Sequence, residues 1–341
     1  MSAAADAPLL VVDDLHKHYP VRGGVWGRTI GTIRAVAGVS FSVMQGQTRG
    51  LVGESGCGKS TLGRALMRLE EPTAGRVSFE GRDLAHASAQ QLFTLRRDIQ
   101  MVFQDPYSSL NPRMTVGEIV REPLVVHRIG SKSEQLERVR SLFETVGLAG
   151  DMLGRYPNEF SGGQRQRIGV ARALALNPKL VVADEPVSAL DVSVQSQVLN
   201  LMVRLQRELG LTYIFISHDL SVVEHVSDTV AIMYLGRIVE KGPVQEIFGR
   251  PAHPYTRALI QAIPSGNPRE RREAVPLEGE TPSPMSPPAG CAFSSRCPYA
   301  VEACCHAVPP LEHVGTPNPE PGSEHLAACI RREAIGSSSV R

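Results

Sequence analysis

Between the apolar run Gly50-Leu51-Val52 and the helix-forming stretch STLGRALMRL lies GESGCGKST, residues 53–61. Gly53, four residues, then Gly58-Lys59-Ser60 is the spacing of a P-loop, in which a strand turns through glycines into a helix. The glycines let backbone N–H groups turn inward around a polyphosphate, and the helix N-terminus adds its unpaired amides and dipole. The whole stretch, Gly53, Glu54, Ser55, Gly56, Cys57, Gly58, Lys59, Ser60 and Thr61, is therefore the expected phosphate cradle. Lys59 is placed to reach the outer phosphates and Ser60 to give a hydroxyl to Mg²⁺. Cys57 fills a small slot and is not read as a reactive thiol. A glycine turn that meets a lysine by chance would not come with both a strand and a helix.

A chain of 341 residues with 42% hydrophobic content can bury a core without disulfides. Its 36 Lys and Arg balance 35 Asp and Glu, a net charge of +1, so nothing draws it as a whole to nucleic acid. The start MSAAADAPLL lacks a basic segment ahead of an apolar one, and no apolar run approaches the roughly 18 residues that span a bilayer. A cytosolic protein is expected, reaching a membrane only through partners.

Along the chain, LLVVDDLHKHY (9–19) reads as a strand, Gly23 to about Thr32 as a loop, and AVAGVSFSV (35–43) as a second strand. Tyr19, just past the first strand, is either a half-buried aromatic or a platform for a purine ring; spacing alone does not choose. After the P-loop helix, EEPTAGRVSFEGRDL is a turn and strand pair, ASAQQLFTLRRD a helix and IQMVFQ a strand ending at Gln104. The turn-rich DPYSSLNPRM that follows suits a side chain reaching a metal or nucleotide while its loop meets another surface. Residues 116–149 are mostly helical, with a break at Ile129-Gly130-Ser131.

Ser161-Gly162-Gly163-Gln164 precedes the helix-forming RQRIGVARALAL and makes a second anion-binding helix start. A serine N-cap explains Ser161 but leaves two glycines and Gln164 without a reason. Leu180-Val181-Val182-Ala183 runs into Asp184-Glu185, the pattern of a buried parallel strand that delivers two carboxylates to the ligand crevice of an α/β sheet. Asp184 suits the Mg²⁺ shell and Glu185 the polarising of an attacking water. Asp191 follows in a turn before a helix to about Leu209, and the strand TYIFIS ends at His218, where an imidazole can meet a γ-phosphate. TVAIMYLGRIVE (229–240) is a hairpin turning at Gly236.

In this order and at these intervals the motifs resemble the ATP-binding subunit of ABC transporters, over roughly residues 9–262. The resemblance implies an α/β P-loop NTPase fold: an ABC domain at 1–262 with a helical subdomain at about 105–175, a Pro-rich linker at 263–290 and a cysteine-containing extension at 291–341. It implies that Tyr19 stacks on adenine, that Gln104 is the Q-loop glutamine and a Mg²⁺ contact, and that Ser161 to Gln164 form the signature motif. It further makes Asp184 the Walker B aspartate, Glu185 the catalytic base, Asp191 the D-loop residue and His218 the switch histidine. The cofactors are then ATP and Mg²⁺. The second glycine site gains a purpose, because in this family two domains bind head to tail and each signature helix covers the other's ATP. Phe160 stands where leucine is commoner, which keeps an apolar anchor.

FQDPYSSLNPR, EFSGGQRQRIGVARAL and HPYTRAL followed by cysteines resemble the oligopeptide/dipeptide importers, with GCGKSTLGR similar to the second of their two ATPase subunits. Related importers of nickel or other small solutes share this tail. The resemblance implies a non-identical partner ATPase, two permease chains met through the loop near Tyr107 to Met114, an extracytoplasmic solute-binding protein at one remove, and a place on the cytoplasmic face of the inner membrane.

Pro264 to Gly290 is rich in Pro and charge and reads as a linker, its run at 269–273 as a solvated face. Beyond it Cys291, Cys297, Cys304 and Cys329 are separated by five, six and twenty-four intervening residues. In a reducing compartment such crowding favours metal over disulfides. The spacing is not that of a zinc ribbon, and four thiolates with Pro298 after Cys297 suit a [4Fe–4S] cluster, with zinc or free thiols as alternatives. The importer family's tail is similar and implies the cluster, and its interval favours Cys304 over Cys305. His306, His313 and His325 are rival ligands in sequence.

Overall fold

The computed structural model describes residues 7–23, 28–263, 279–315 and 324–335. Most of the expected linker, including its charged run at 269–273, lies outside the described residues. In chain order the elements are β1 (Leu10–Gly23), β2 (Arg28–Val43), β3 (Thr48–Val52), α1 (Lys59–Leu66), β4 (Ala74–Phe79) and β5 (Arg82–Asp83). Next come α2 (Ala89–Leu95), β6 (Ile99–Val102), α3 (Pro106–Ser109), α4 (Val116–Val126), α5 (Lys132–Thr145), α6 (Gly162–Leu174), β7 (Leu180–Asp184), α7 (Val192–Leu209) and β8 (Thr212–Ser217). The chain continues with α8 (Leu220–Val226), β9 (Thr229–Tyr234), β10 (Arg237–Pro243), α9 (Val244–Gly249), α10 (Pro254–Gln261), β11 (Glu312–His313) and β12 (Leu326–Ala327). Two compact units result, one of residues 44–47 and 86–217, the other of 8–43, 48–85 and the described residues from 218 on.

The unit that holds the P-loop has an antiparallel sheet in the order β2-β1-β4-β5. Leu10, Val12 and Leu15 of β1 and Val39, Phe41 and Val43 of β2 are buried, with the less buried Val11, Asp13, Asp14, Ser40 and Ser42 between them, so one face packs and the other is more open to solvent. The expected loop from Gly23 to Thr32 is largely strand. Tyr19 to Arg22 pair with Ile33 to Thr29, so β2 begins at Arg28. The same unit pairs β3 with β9 in parallel, β9 with β10 antiparallel through Leu235 and Gly236, both with positive φ, and β10 with β12 and β12 with β11.

Glu240 of β10 is fully buried and wholly engaged. Its carboxylate accepts the backbone N–H of Ala252 at 2.7 Å and of His253 at 3.0 Å, and His325 Nε2 lies 2.7 Å away. Three partners offset the cost of burying that charge. The rival metal ligand His325 is thereby committed to a structural pair.

In the other unit β6, β7 and β8 run parallel, β7 pairing with β6 on one side and with β8 on the other. All five residues of β7 and all six of β8 are buried, the near-continuous apolar pattern of a parallel strand covered on both faces. Between β6 and β7 the chain is helical. Thr115 with Glu118 and Ser131 with Glu134 form capping boxes that start α4 and α5, which explains the break at 129–131. Among the described residues no helix is long and apolar enough to cross a membrane.

His253 is 1% exposed, and burial pulls its imidazole from an ordinary 6.5 down to about 4, Glu240 opposing the shift. Its neutral ring accepts the Tyr255 N–H at Nδ1, 3.1 Å away. The unfolded chain binds a proton here between about pH 6.5 and pH 4 that the folded chain refuses, so the stabilisation is full above that window and lost as pH falls through it. Urea-unfolding midpoints measured across this window should fall more steeply for the wild type than for His253→Asn, which keeps a side-chain acceptor and cannot titrate.

Candidate active site

In the P-loop the chain leaves β3 and enters α1 at Gly58, whose φ of 106° an L side chain rarely adopts. A Cβ there would also meet the Ala35 carbonyl oxygen at 2.0 Å. Lys59 is 4% exposed, and its Nζ donates to the carbonyls of Gly53 at 2.7 Å and Glu54 at 3.0 Å. It ties the two ends of the loop together and holds a cation beneath it. Cys57 is buried, and burial pushes its thiol up, which suits an inert filler. Ser60 and Thr61 lie in the first turn of α1.

The Glu54 side chain is held from the far end of the sequence. Arg296 grips both carboxylate oxygens, at 2.9 and 3.1 Å, and Thr281 donates at 3.1 Å. The Glu54 N–H donates to the Tyr255 hydroxyl at 2.9 Å. Hydrogen bonding to Glu54 drives the Arg296 guanidinium above its ordinary range. Nothing local in the sequence marks Arg296, and Tyr255 appears there only as part of HPYTRAL, with no role of its own. Tyr19, in β1, donates its hydroxyl to Glu70, and Lys17 Nζ lies 4.9 Å from its ring centroid. One ring face is therefore already covered by a cation. His218 is exposed, immediately before Asp219, which caps α8 by accepting from Ser221 and Val222.

The other unit carries the remaining residues. Asp184 ends β7 and is 2% exposed. Glu185 follows with φ +45°, a left-handed backbone costly for such a residue, fixed by its N–H donating to Ile216 at 2.9 Å. Gln104 lies two residues beyond β6, and its Nε2 donates to Glu185 Oε2 at 3.0 Å. The structure thus brings together two residues that are 81 positions apart.

The signature segment corrects one sequence expectation. Ser161 is the N-cap of α6 and accepts from the Gln164 N–H, while Gln164 Oε1 accepts from the Ser161 N–H, a capping box that accounts for Gln164 as well as Ser161. Gly163 also has a local cause, since a Cβ there would stand 2.3 Å from Val194 Cγ1 in the first turn of α7. Asp191 is the N-cap residue of α7 and makes no side-chain cap hydrogen bond. Helix packing alone would therefore select parts of this motif.

None of the six cysteines of the chain, five of them in the C-terminal segment, forms a disulfide. Cys304 and Cys329 are buried and Cys305 is exposed. Burial pushes the thiols of Cys291 and Cys297 up, and that of Cys329 up to about 11, and each of the three feels Cys304 as a neighbouring charge. The Cys291 N–H donates to the Cys304 carbonyl at 2.8 Å. Among the described residues no three His, Cys, Asp or Glu side chains are gathered tightly enough for one metal ion.

The ABC transporter family model matches residues 36–188, and the model for the oligopeptide/dipeptide transporter C-terminal region matches residues 239–304. A probable peptide ABC transporter ATP-binding protein of Sinorhizobium fredii is 54% identical over 96% of this chain and 92% of its own length. The oligopeptide transport ATP-binding protein AppF of Bacillus subtilis is 50% identical over 96% and 99%. The chain belongs to the ABC transporter ATP-binding proteins. The dipeptide transport ATP-binding protein DppF of Escherichia coli, 53% identical over 92% of this chain and 93% of its own, is a further relative. Among solved structures the ATP-binding cassette MJ0796, in a dimeric post-hydrolysis state bound to ADP and Pi, matches with a TM-score of 0.62 at 28% identity. That match covers 69% of this ABC protein and 98% of the cassette. The subunit cbiO1 of Clostridium perfringens matches with a TM-score of 0.61, also at 28% identity, over 71% and 91%.

For this ABC protein Gly163 separates packing from nucleotide contact. Gly163→Ala should lower unfolding stability by about 1–3 kcal/mol through overpacking against Val194, and adding Val194→Ala should restore most of it. Stability restored with ATPase activity still lost would assign the glycine to the nucleotide; activity returning with stability would assign it to packing.

Proposed function

We propose that this chain is the ATP-hydrolysing subunit of a peptide importer, at the cytoplasmic face of the membrane, bound there through permease subunits. The observation that carries it is the presence, in one chain, of matches to the ABC transporter family and to the oligopeptide/dipeptide transporter C-terminal region, with relatives named for peptide transport along nearly its whole length. A related importer of another small solute is the second reading. The net charge of +1 gives no support to a role on nucleic acid.

In this reading the amides of Gly53 to Thr61 wrap the phosphates and Lys59 neutralises them. Ser60, Asp184 and Gln104 are an oxygen set suited to Mg²⁺, which would draw charge from the phosphate oxygens. Glu185, steadied by Gln104, polarises the attacking water, and His218 meets the γ-phosphate. Ser161 to Gln164 and Asp191 act across a head-to-tail pairing with a second ATPase subunit, and Tyr19 lies against adenine. The permeases meet the segment from Tyr107 to Met114, where Tyr107 is exposed and stacked on Arg165 with 3.9 Å to the ring centroid. The extracytoplasmic solute-binding protein acts on the permeases.

The cysteine-bearing extension at 291–341 is proposed to hold a [4Fe–4S] cluster on Cys291, Cys297, Cys304 and Cys329. What supports the reading is that the four thiols lie near enough to feel one another's charge, and a cluster takes each thiolate on a different iron. Their burial makes thiolates costly without such a cation. Cys304 is preferred to Cys305 because it is buried among the others.

Glu185→Gln should retain MgATP while turnover falls by about 10²-fold or more, and normal multiple turnover in that variant would remove Glu185 as the base. Affinity purification of the chain from detergent-solubilised membranes, with co-purifying proteins identified by mass spectrometry, should yield two permeases and a second ABC ATPase. Recovery with ribosomes or DNA instead would sink the transporter reading. Iron assayed in the same anaerobic sample should be about four per chain and should drop in Cys297→Ser, whereas zinc in its place would reject the cluster.

A further inference from the structure

The Walker-type residues explain why a P-loop binds phosphate but not why the residue after its first glycine is a glutamate held by the C-terminal segment. Every polar atom of Glu54 that the loop could leave loose has a partner. Its carboxylate takes the Arg296 guanidinium at two points and the Thr281 hydroxyl, its N–H gives to Tyr255 Oη, and its carbonyl receives Lys59 Nζ at 3.0 Å. Arg296 is itself well fixed. Its side chain is 7% exposed, and it reaches the Tyr234 hydroxyl at 3.4 Å and Thr281 at 3.3 Å. Phe293, three residues earlier and 1% exposed, packs against the contacting pair Tyr234 and Tyr255, with ring centroids 5.4 Å from each. The aromatic wall that seats the segment is thus also the wall that hydrogen-bonds the P-loop backbone.

We propose that Arg296 is a positioning residue of the nucleotide site: by gripping Glu54 it fixes the loop backbone on which Lys59 rests, and so sets the affinity for MgATP. The proposal rests on this P-loop being the ATP site. The path has two links, guanidinium to carboxylate and Glu54 carbonyl to Lys59 ammonium, and both are direct hydrogen bonds. A planar fork that engages both oxygens fixes orientation as well as distance, which a single-point lysine cannot do. The segment that carries the cysteines therefore belongs to the nucleotide site.

The test uses the full-length chain, with mant-ATP and Mg²⁺ as the binding probe, steady-state ATPase assays and thermal melts. Binding of mant-ATP by the wild type examines the nucleotide reading separately from Arg296. Arg296→Gln should raise Kd and KM for MgATP about tenfold while kcat falls less than about threefold. Glu54→Gln should do the same, and the double variant should be no worse than the weaker single, because the two residues act as one pair. Arg296→Lys, which keeps charge and bulk, should fold and still raise Kd at least about threefold. Unchanged Kd in the lysine and glutamine variants would overturn the proposal, even where the melting temperature falls. So would effects of Arg296→Gln and Glu54→Gln that multiply in the double variant.

Discussion

At Gly58 the main chain passes so near the Ala35 carbonyl that only a hydrogen fits between them. The approach is imposed from three sides. The Gly236 N–H donates to the Cys57 carbonyl at 2.9 Å, the Ala37 N–H donates to the Gly236 carbonyl at 2.8 Å, and Ala35 stands against Gly58 itself. A strand, a hairpin turn and the phosphate loop share one small knot of backbone. Any side chain at Gly58 would push the loop off that floor and take Lys59 with it. The amides that would face a phosphate are thus set by strands distant in sequence and rigid in themselves, which is the preorganisation an anion site needs if binding is not to cost loop ordering.

Glu185 is held in a comparable way by other means. Its backbone adopts a left-handed conformation straight after a fully buried strand, and its amide is bonded to the neighbouring strand at Ile216. The positive φ turns its side chain out of the strand's alternation, and Gln104 receives it. Strain of this kind survives only where the surroundings over-determine it. Here a buried strand supplies that, and the carboxylate gains a fixed direction.

What the sequence made legible was local. The P-loop spacing, the helix break at 129–131, the hairpin at Gly236 and the buried run before Asp184 each follow from rules that act within a few residues. The Ser161 and Gln164 pairing is local as well, since a serine followed three residues later by glutamine is a capping box, but the two glycines between them point to an anion site instead. The reason for Gly163 could not be read, for it lies in Val194, thirty-one positions on and brought near only by packing. Arg296 is 242 residues from Glu54 and sits in a turn with no periodicity, so nothing short of the fold joins them. The early loop is largely strand although Gly23-Gly24 and the polar residues after it read as a break, because an antiparallel pair tolerates glycine when its partner strand supplies the register.

The short strand β12 adds two residues to the side of β10 not used by β9, and β11 adds two more beyond it. A sheet border left bare offers a row of unpaired amides and carbonyls to any passing chain, and short, capped borders are how proteins avoid unwanted strand exchange. Beneath this border lies Glu240, whose charge is answered by His325 one position before β12 begins. The C-terminal segment therefore acts as a selvedge: without it, an abbreviated chain would present an adhesive strand margin and would leave the interior carboxylate with only the Ala252 and His253 amides to hold it.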